Sequence, residues 1–203
     1  MSDETSLARI RGDLIWLHGL IALAMIVFGL FGKRAAESFR YERALVFEGE
    51  PWRLLSGHFV HGSLQHLLLN LAGLAVVTAL FAREYSLRGW LLVIGLSIAA
   101  IDVGFVLNEP QLAWYVGYSG VLHGVLAAGA IAWWRRGPDA LALALSAILA
   151  GKLAWEQWHG ALPLSGDLPV VVDAHLYGAV GGALAASILW ARRQPWLSRH
   201  RSL

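Results

Sequence analysis

The chain has no cysteine, so disulfides, thiolate catalysis and sulfur-ligated metals are excluded, and the redox compartment is left open. Charge is scarce as well. Only 15% of the 203 residues are Asp, Glu, Lys or Arg, 57% are hydrophobic, and the mean hydropathy is +0.56, well outside the range of soluble domains. Disorder, collagen and a soluble enzyme do not fit that balance. There is no internal repeat, no low-complexity stretch and no linker long enough to separate domains, so one unit over residues 1–203 is expected. No cleaved signal is expected either. Residues 1–13 hold Asp3, Glu4 and Asp13, and the apolar run from Leu14 is too long for a signal's hydrophobic region. The net charge of +2 does not point to nucleic acid, because the basic residues are scattered in pairs between apolar runs.

What the chain does have is ten Trp and 22 Gly. Trp anchors helices at the bilayer interface, and Gly lets neighbouring helices approach closely. A spanning helix needs about 20 mainly apolar residues, because its backbone polar groups must be satisfied inside the segment. Six segments qualify: Leu14 to Phe31, Leu64 to Phe81, Trp90 to Leu107, Ser119 to Trp134, Ala140 to Trp155 and His175 to Trp190. The expected fold is therefore all-α, a polytopic membrane bundle of six helices. Arg9 and Arg11, Arg83 and Arg88, Arg135 and Arg136, and Arg192, Arg193, Arg199 and Arg201 all fall on one side of that arrangement. The loop from Asn108 to Tyr118 has no Lys or Arg. The positive-inside rule then places both termini in the cytoplasm. The first loop breaks the rule with Lys33, Arg34, Arg40, Arg43 and Arg53, but Glu37, Glu42, Glu48 and Glu50 are interleaved with aromatic and aliphatic residues. It reads as an interfacial amphipathic insertion. Trp133, Trp134, Trp155, Trp158 and Trp190 read as belt anchors.

Polar side chains inside spanning helices are costly, so each is a candidate for function. They are His58, His61, His66 and Asn70 at the second helix, Asp102 in the third, Ser119 and His123 in the fourth, Lys152 and Glu156 in the fifth, and Asp173 and His175 at the sixth. Helices two, four and six all enter from the outer face, so the clusters at their starts share one membrane depth. His66 and Asn70, four apart, point the same way. Gly117-Tyr118-Ser119-Gly120 makes a tight loop-to-helix turn that leaves the serine accessible at a helix N-terminus. Gly178, Gly181 and Gly182 give the sixth helix a small-residue face that would pack on the fourth and bring His175 to Ser119. A serine needs a base to become a nucleophile, and a facing histidine supplies one. Ser119 N–H, His66 and the Asn70 amide would then serve the oxyanion. Neither Asp173 nor Asp102 has a spacing that shows it orients the imidazole.

These residues resemble the rhomboid intramembrane serine proteases, over about Trp52 to Ala191. The resemblance rests on His61-Gly62-Ser63-Leu64-Gln65-His66-Leu67-Leu68-Leu69-Asn70, on Gly117 to Gly120, and on Ala174-His175-Leu176-Tyr177-Gly178, in that order and in helices two, four and six. It implies Ser119 as nucleophile, His175 as base, His66 and Asn70 at the oxyanion hole, a six-helix core and a first loop that dips into the outer leaflet. Four residues after the serine, many rhomboids carry a tyrosine; here the residue is His123. That feature and the compact length resemble the rhombosortases, a subgroup associated with C-terminal tails made of Gly-Gly, a hydrophobic helix and a basic end. The resemblance implies a bacterial inner-membrane enzyme that cuts such tails, or re-attaches the cut protein, during surface sorting. Its partners would be a single-pass membrane substrate and the bilayer, with no cofactor, metal or nucleic acid. His123 is expected to contact and support His175, and His61 to support the loop above the site.

Lys152 and Glu156 have the i, i+4 spacing of a helix ion pair, either structural or placed to read a polar group on the substrate. Three other readings remain open. One is a general rhomboid protease with no sorting role. A metal transporter would use His58, His61, His66, His123 and His175, but helical carboxylates to balance a cation are sparse and Ser119 would go unexplained. A structural adaptor predicts that Ser119→Ala changes nothing.

Overall fold

The computed structural model describes residues 2–137, 139–161 and 170–192, with side chains from residue 15 onward. The side chains of Asp3, Glu4, Arg9, Arg11 and Asp13, and residues Arg193, Arg199 and Arg201, lie outside the described residues. In chain order the elements are α1 (Ser2–Leu30), α2 (Gly32–Phe39), β1 (Tyr41–Glu42), α3 (Arg43–Phe47), α4 (Trp52–Ser56), α5 (Leu64–Phe81), α6 (Leu87–Asn108), β2 (Trp114–Tyr115), α7 (Ser119–Arg136), α8 (Ala140–His159) and α9 (Asp173–Ala191). Every one of the six apolar segments is helical.

By length and apolarity, three of the described helices are able to cross a membrane: α5, α6 and α9. The bent pair Ile15–Leu30 with Gly32–Phe39, turning through 111°, makes a fourth if it acts as one broken span. α7 and α8 are not among these. In α7 the reason is visible in the packing. Most of its residues are buried against protein, many of them Gly and Ala, so its surface has no need of lipid-matched side chains. In α8, Lys152, Glu156, Gln157 and His159 dilute the apolar run.

Helix starts are fixed locally. Ser63 accepts a hydrogen bond from the His66 backbone N–H (3.1 Å) and starts α5, Ser86 accepts from Gly89 (3.3 Å) and starts α6, and Asp139 accepts from Ala142 (2.8 Å) and starts α8. α7 differs: Tyr118 gives it no side-chain cap.

The centre of the bundle is a close contact of α7 with α9, flanked by α6. A Cβ added at Gly178 would lie 2.0 Å from Gly120 O, and one at Gly182 would lie 2.0 Å from Gly124 O. The pairs Gly120/Gly124 and Gly178/Gly182 thus let two backbones meet with nothing between them, as the small-residue face predicts.

The first loop folds into a cap. β1 pairs antiparallel with β2, Tyr41 opposite Tyr115 and Glu42 opposite Trp114. Two of its arginines are staples. Arg43 donates to Phe105 O (2.9 Å) and Val106 O (3.2 Å), satisfying carbonyls in the last turn of α6. Arg53, 6% exposed, donates to Glu37 O, Arg40 O and Glu50. These arginines break the topology rule because they bind backbone and carboxylates instead of marking a side. Phe47, Trp52 and Leu55 of this cap stay exposed. Trp133 departs from the expected belt: it is buried and donates its indole N–H to Glu84 (3.1 Å), whereas Trp134, Trp155, Trp158 and Trp190 are exposed.

Candidate active site

Gly117 sits at φ +118°, a conformation open to glycine, and its amide donates to Gly57 O (3.0 Å). The Tyr115 hydroxyl donates to Gly117 O (2.6 Å). The turn before Ser119 is therefore tied to the first-loop cap on one side and to β2 on the other. A side chain at Gly117 would also collide with the His66 ring, 2.6 Å from where its Cβ would lie. That ring occupies the space the glycine leaves.

The close approach of α7 and α9 delivers His175 to the serine. His175 Nε2 lies 2.9 Å from Ser119 Oγ. The other ring nitrogen, Nδ1, lies 2.9 Å from Glu156 Oε2 and 3.4 Å from Lys152 Nζ. Lys152 also donates to Glu156 Oε1 at 2.6 Å. His123 stacks on His175 with ring centroids 4.1 Å apart and 18° between planes, and its Nδ1 is 2.7 Å from Ser119 O. The candidates on α5 join the same site. His66 and Asn70 line a cavity of about 400 Å³ that also holds Ser119, His123, Lys152, Glu156 and His175. Elsewhere its walls are apolar, with Leu69, Val76, Leu122 and Leu126 among them. Asn70 Nδ2 donates to His66 O (2.9 Å).

The remaining candidates are placed around this centre. His61 packs edge-on to His66 with centroids 5.0 Å apart, and burial, with His66 beside it, pulls its pKa down to about 3. It is neutral at physiological pH. Asp102 lies 3.3 Å from His58 Nε2 and so belongs to that histidine, not to His175. His58, one of the polar candidates at the second helix, is 1% exposed and packs against Tyr115 behind the serine turn. Asp173 stands in the first turn of α9 without a described contact to His175.

The contact between Glu156 and His175 is the feature the sequence does not reveal. The i, i+4 spacing identifies the Lys152 pair, but no local pattern says that α8 turns this face toward α9. His123, Glu156 and His175 do offer three donor atoms within 4.8 Å of one another. A cation there would have to displace the Lys152 ammonium, already 2.6 Å from the one carboxylate of the set.

A membrane bundle with an accessible serine against an imidazole, at the polar end of an apolar cavity, has the make-up of an intramembrane hydrolase. The Rhomboid domain model matches residues 48–192, and the chain belongs to the rhomboid family. That family consists of intramembrane serine proteases, and with the apolar helices it makes this a multi-pass membrane protein acting on membrane protein substrates. No curated protein matches the chain.

Proposed function

We propose that the chain is an intramembrane serine endopeptidase in which Ser119 is the nucleophile and His175 its base. The observation that carries this reading is the 2.9 Å contact between Ser119 Oγ and His175 Nε2, inside a cavity lined by His66 and Asn70. His175 takes the serine proton as Oγ bonds to the scissile carbonyl carbon, then returns it to the leaving amine as the C–N bond breaks. The oxyanion is held by the Ser119 N–H, at the uncapped start of α7, together with His66 and the Asn70 amide. His123 supports His175 by stacking on it. His61 supports the loop above the site from beside His66.

In this reading residues 1–203 form one unit and α1, α5, α6, α7, α8 and α9 are its six spans. Both termini lie in the cytoplasm of a bacterial inner membrane, and cleavage occurs near the outer face. The substrate is a single-pass protein whose C-terminal tail carries Gly-Gly, an apolar helix and a basic end, as in rhombosortases. His123 in place of the tyrosine of many rhomboids supports that subgroup. Of the two charges on α8, Lys152 is the more open to such a tail: its side chain is 29% exposed against 2% for Glu156, although its ammonium is paired with that carboxylate.

A fluorophosphonate probe tests the core of the proposal. It is expected to label the wild-type protein and neither Ser119→Ala nor His175→Ala, read by intact mass. Equal labelling of Ser119→Ala would remove Ser119 as the nucleophile. Because the two residues act as one unit, the double variant should be no slower than either single variant.

A further inference from the structure

We propose that Glu156 is a positioning residue for His175, so that α8 completes a serine–histidine–glutamate triad. This rests on Ser119 and His175 being nucleophile and base.

Two groups face His175 Nδ1, and they ask for opposite tautomers. An ionised carboxylate only accepts, so Glu156 requires a hydrogen on Nδ1; an ammonium only donates, so Lys152 requires Nδ1 to be bare. The carboxylate lies nearer, 2.9 Å against 3.4 Å, and the ammonium is already engaged with Glu156 Oε1 at 2.6 Å. Nδ1 therefore carries the hydrogen. Nε2 then turns its lone pair to Ser119 Oγ, 2.9 Å away, which is the tautomer a general base needs. When the serine proton moves to Nε2, the new positive charge forms beside a fixed negative one. Glu156 keeps its charge throughout and takes no proton.

The surroundings agree. α8 is lightly buried: only Ala142 and Glu156 on it are buried. Burying a carboxylate is costly unless it is paired and hydrogen-bonded, and here the two partners are Lys152 and His175. An ion pair serving α8 alone would gain nothing by turning inward. Two other carboxylates are shielded, and both are committed elsewhere: Asp102 to His58, and Glu84 to Trp133 and Arg136. His123 lies on the face of the His175 ring and does not reach Nδ1 through a described hydrogen bond.

The test uses the full-length enzyme in liposomes with a single-pass substrate. Glu156→Gln should lower kcat by about 10⁴-fold with KM little changed, the loss seen when the acidic member of such a triad is neutralised. Glu156→Asp, which keeps the charge on a shorter stem, should retain more activity than Glu156→Gln. Adding Lys152→Met to Glu156→Gln should restore some of the lost kcat, because it removes the donor that then holds Nδ1 bare. The wild-type protein should also show a low-field imidazole N–H proton resonance that is absent in His175→Ala. That resonance and the Asp variant decide the matter if Glu156→Gln does not fold. A wild-type kcat in Glu156→Gln, a loss confined to KM, or a missing resonance would overturn the role of Glu156. Ser119→Ala with full turnover would instead overturn the underlying assignment of the nucleophile.

Discussion

At the scale of single residues, the site combines groups that are ready with one that must turn. Ser119, His175 and Glu156 already stand in line at 2.9 Å each. Asn70 is close but occupied: its amide donates to His66 O one turn back on α5. For the proposed oxyanion role the amide has to exchange that carbonyl for the developing negative charge, a better acceptor that exists only during reaction. Asn70→Ala is therefore expected to lower kcat by about 10²- to 10³-fold and leave KM nearly unchanged, as steady-state kinetics would show. A large rise in KM at normal kcat would make Asn70 a substrate-binding residue. The buried, neutral His61 beside His66 is suited to packing and to fixing the loop, since an imidazole that protonates only near pH 3 carries no charge in use.

Among elements, the decisive contact is that of α7 with α9. Catalytic geometry across two helices requires a separation fixed to a few tenths of an ångström, and backbone pressed on backbone gives that without rotamer freedom. Gly178→Ala would put a methyl group 2.0 Å from Gly120 O, with no flexible side chain to yield. It should destabilise the protein by about 1–3 kcal/mol or more and depress activity strongly, seen together in thermal unfolding and turnover. Gly95→Ala and Gly151→Ala, where nothing lies within 4 Å of the added Cβ, are the controls and should leave melting unchanged or slightly raised. α8 belongs to the opposite regime. It is lightly buried, yet it supplies Glu156, so any motion of α8 away from α9 would separate the carboxylate from His175.

For the whole molecule, the cavity lies between α5, α7, α8 and α9, polar at the end of Ser119 and apolar along Leu69, Val76 and Leu126. A peptide reaching Ser119 from a membrane helix must be extended there, and small residues at the cut let the helix unwind and the backbone approach. A reporter ending in Gly-Gly, an apolar helix and a basic tail should be cut in cells that express the protein, beside the glycines, as mass analysis of the new terminus would show. Replacing Gly-Gly by Val-Val should abolish the cut. Indifference to that change, or cleavage that ignores the basic end, would favour a general rhomboid protease over a sorting enzyme.

The sequence by itself carried a good deal of this protein. The length of the apolar runs located all six long helices, with α5 matched from Leu64 to Phe81, because an apolar run is a local signal. The glycines at 178, 181 and 182 foretold a tight α9 interface, since small residues at helical spacing have few other uses in a bundle. Ser119, His66, Asn70, His123 and His175 were legible as one cluster at the starts of three helices, and they line one cavity. Only the tertiary structure decided that Arg43 and Arg53 act as staples, that His58 and Trp133 are buried, and that Asp102 meets His58 while Glu156 meets His175. Each of these depends on which way a side chain faces across a gap between elements far apart in the chain. Spacing within one helix gives the angle of a residue about its own axis, and the partner on the next helix is fixed only when the two pack.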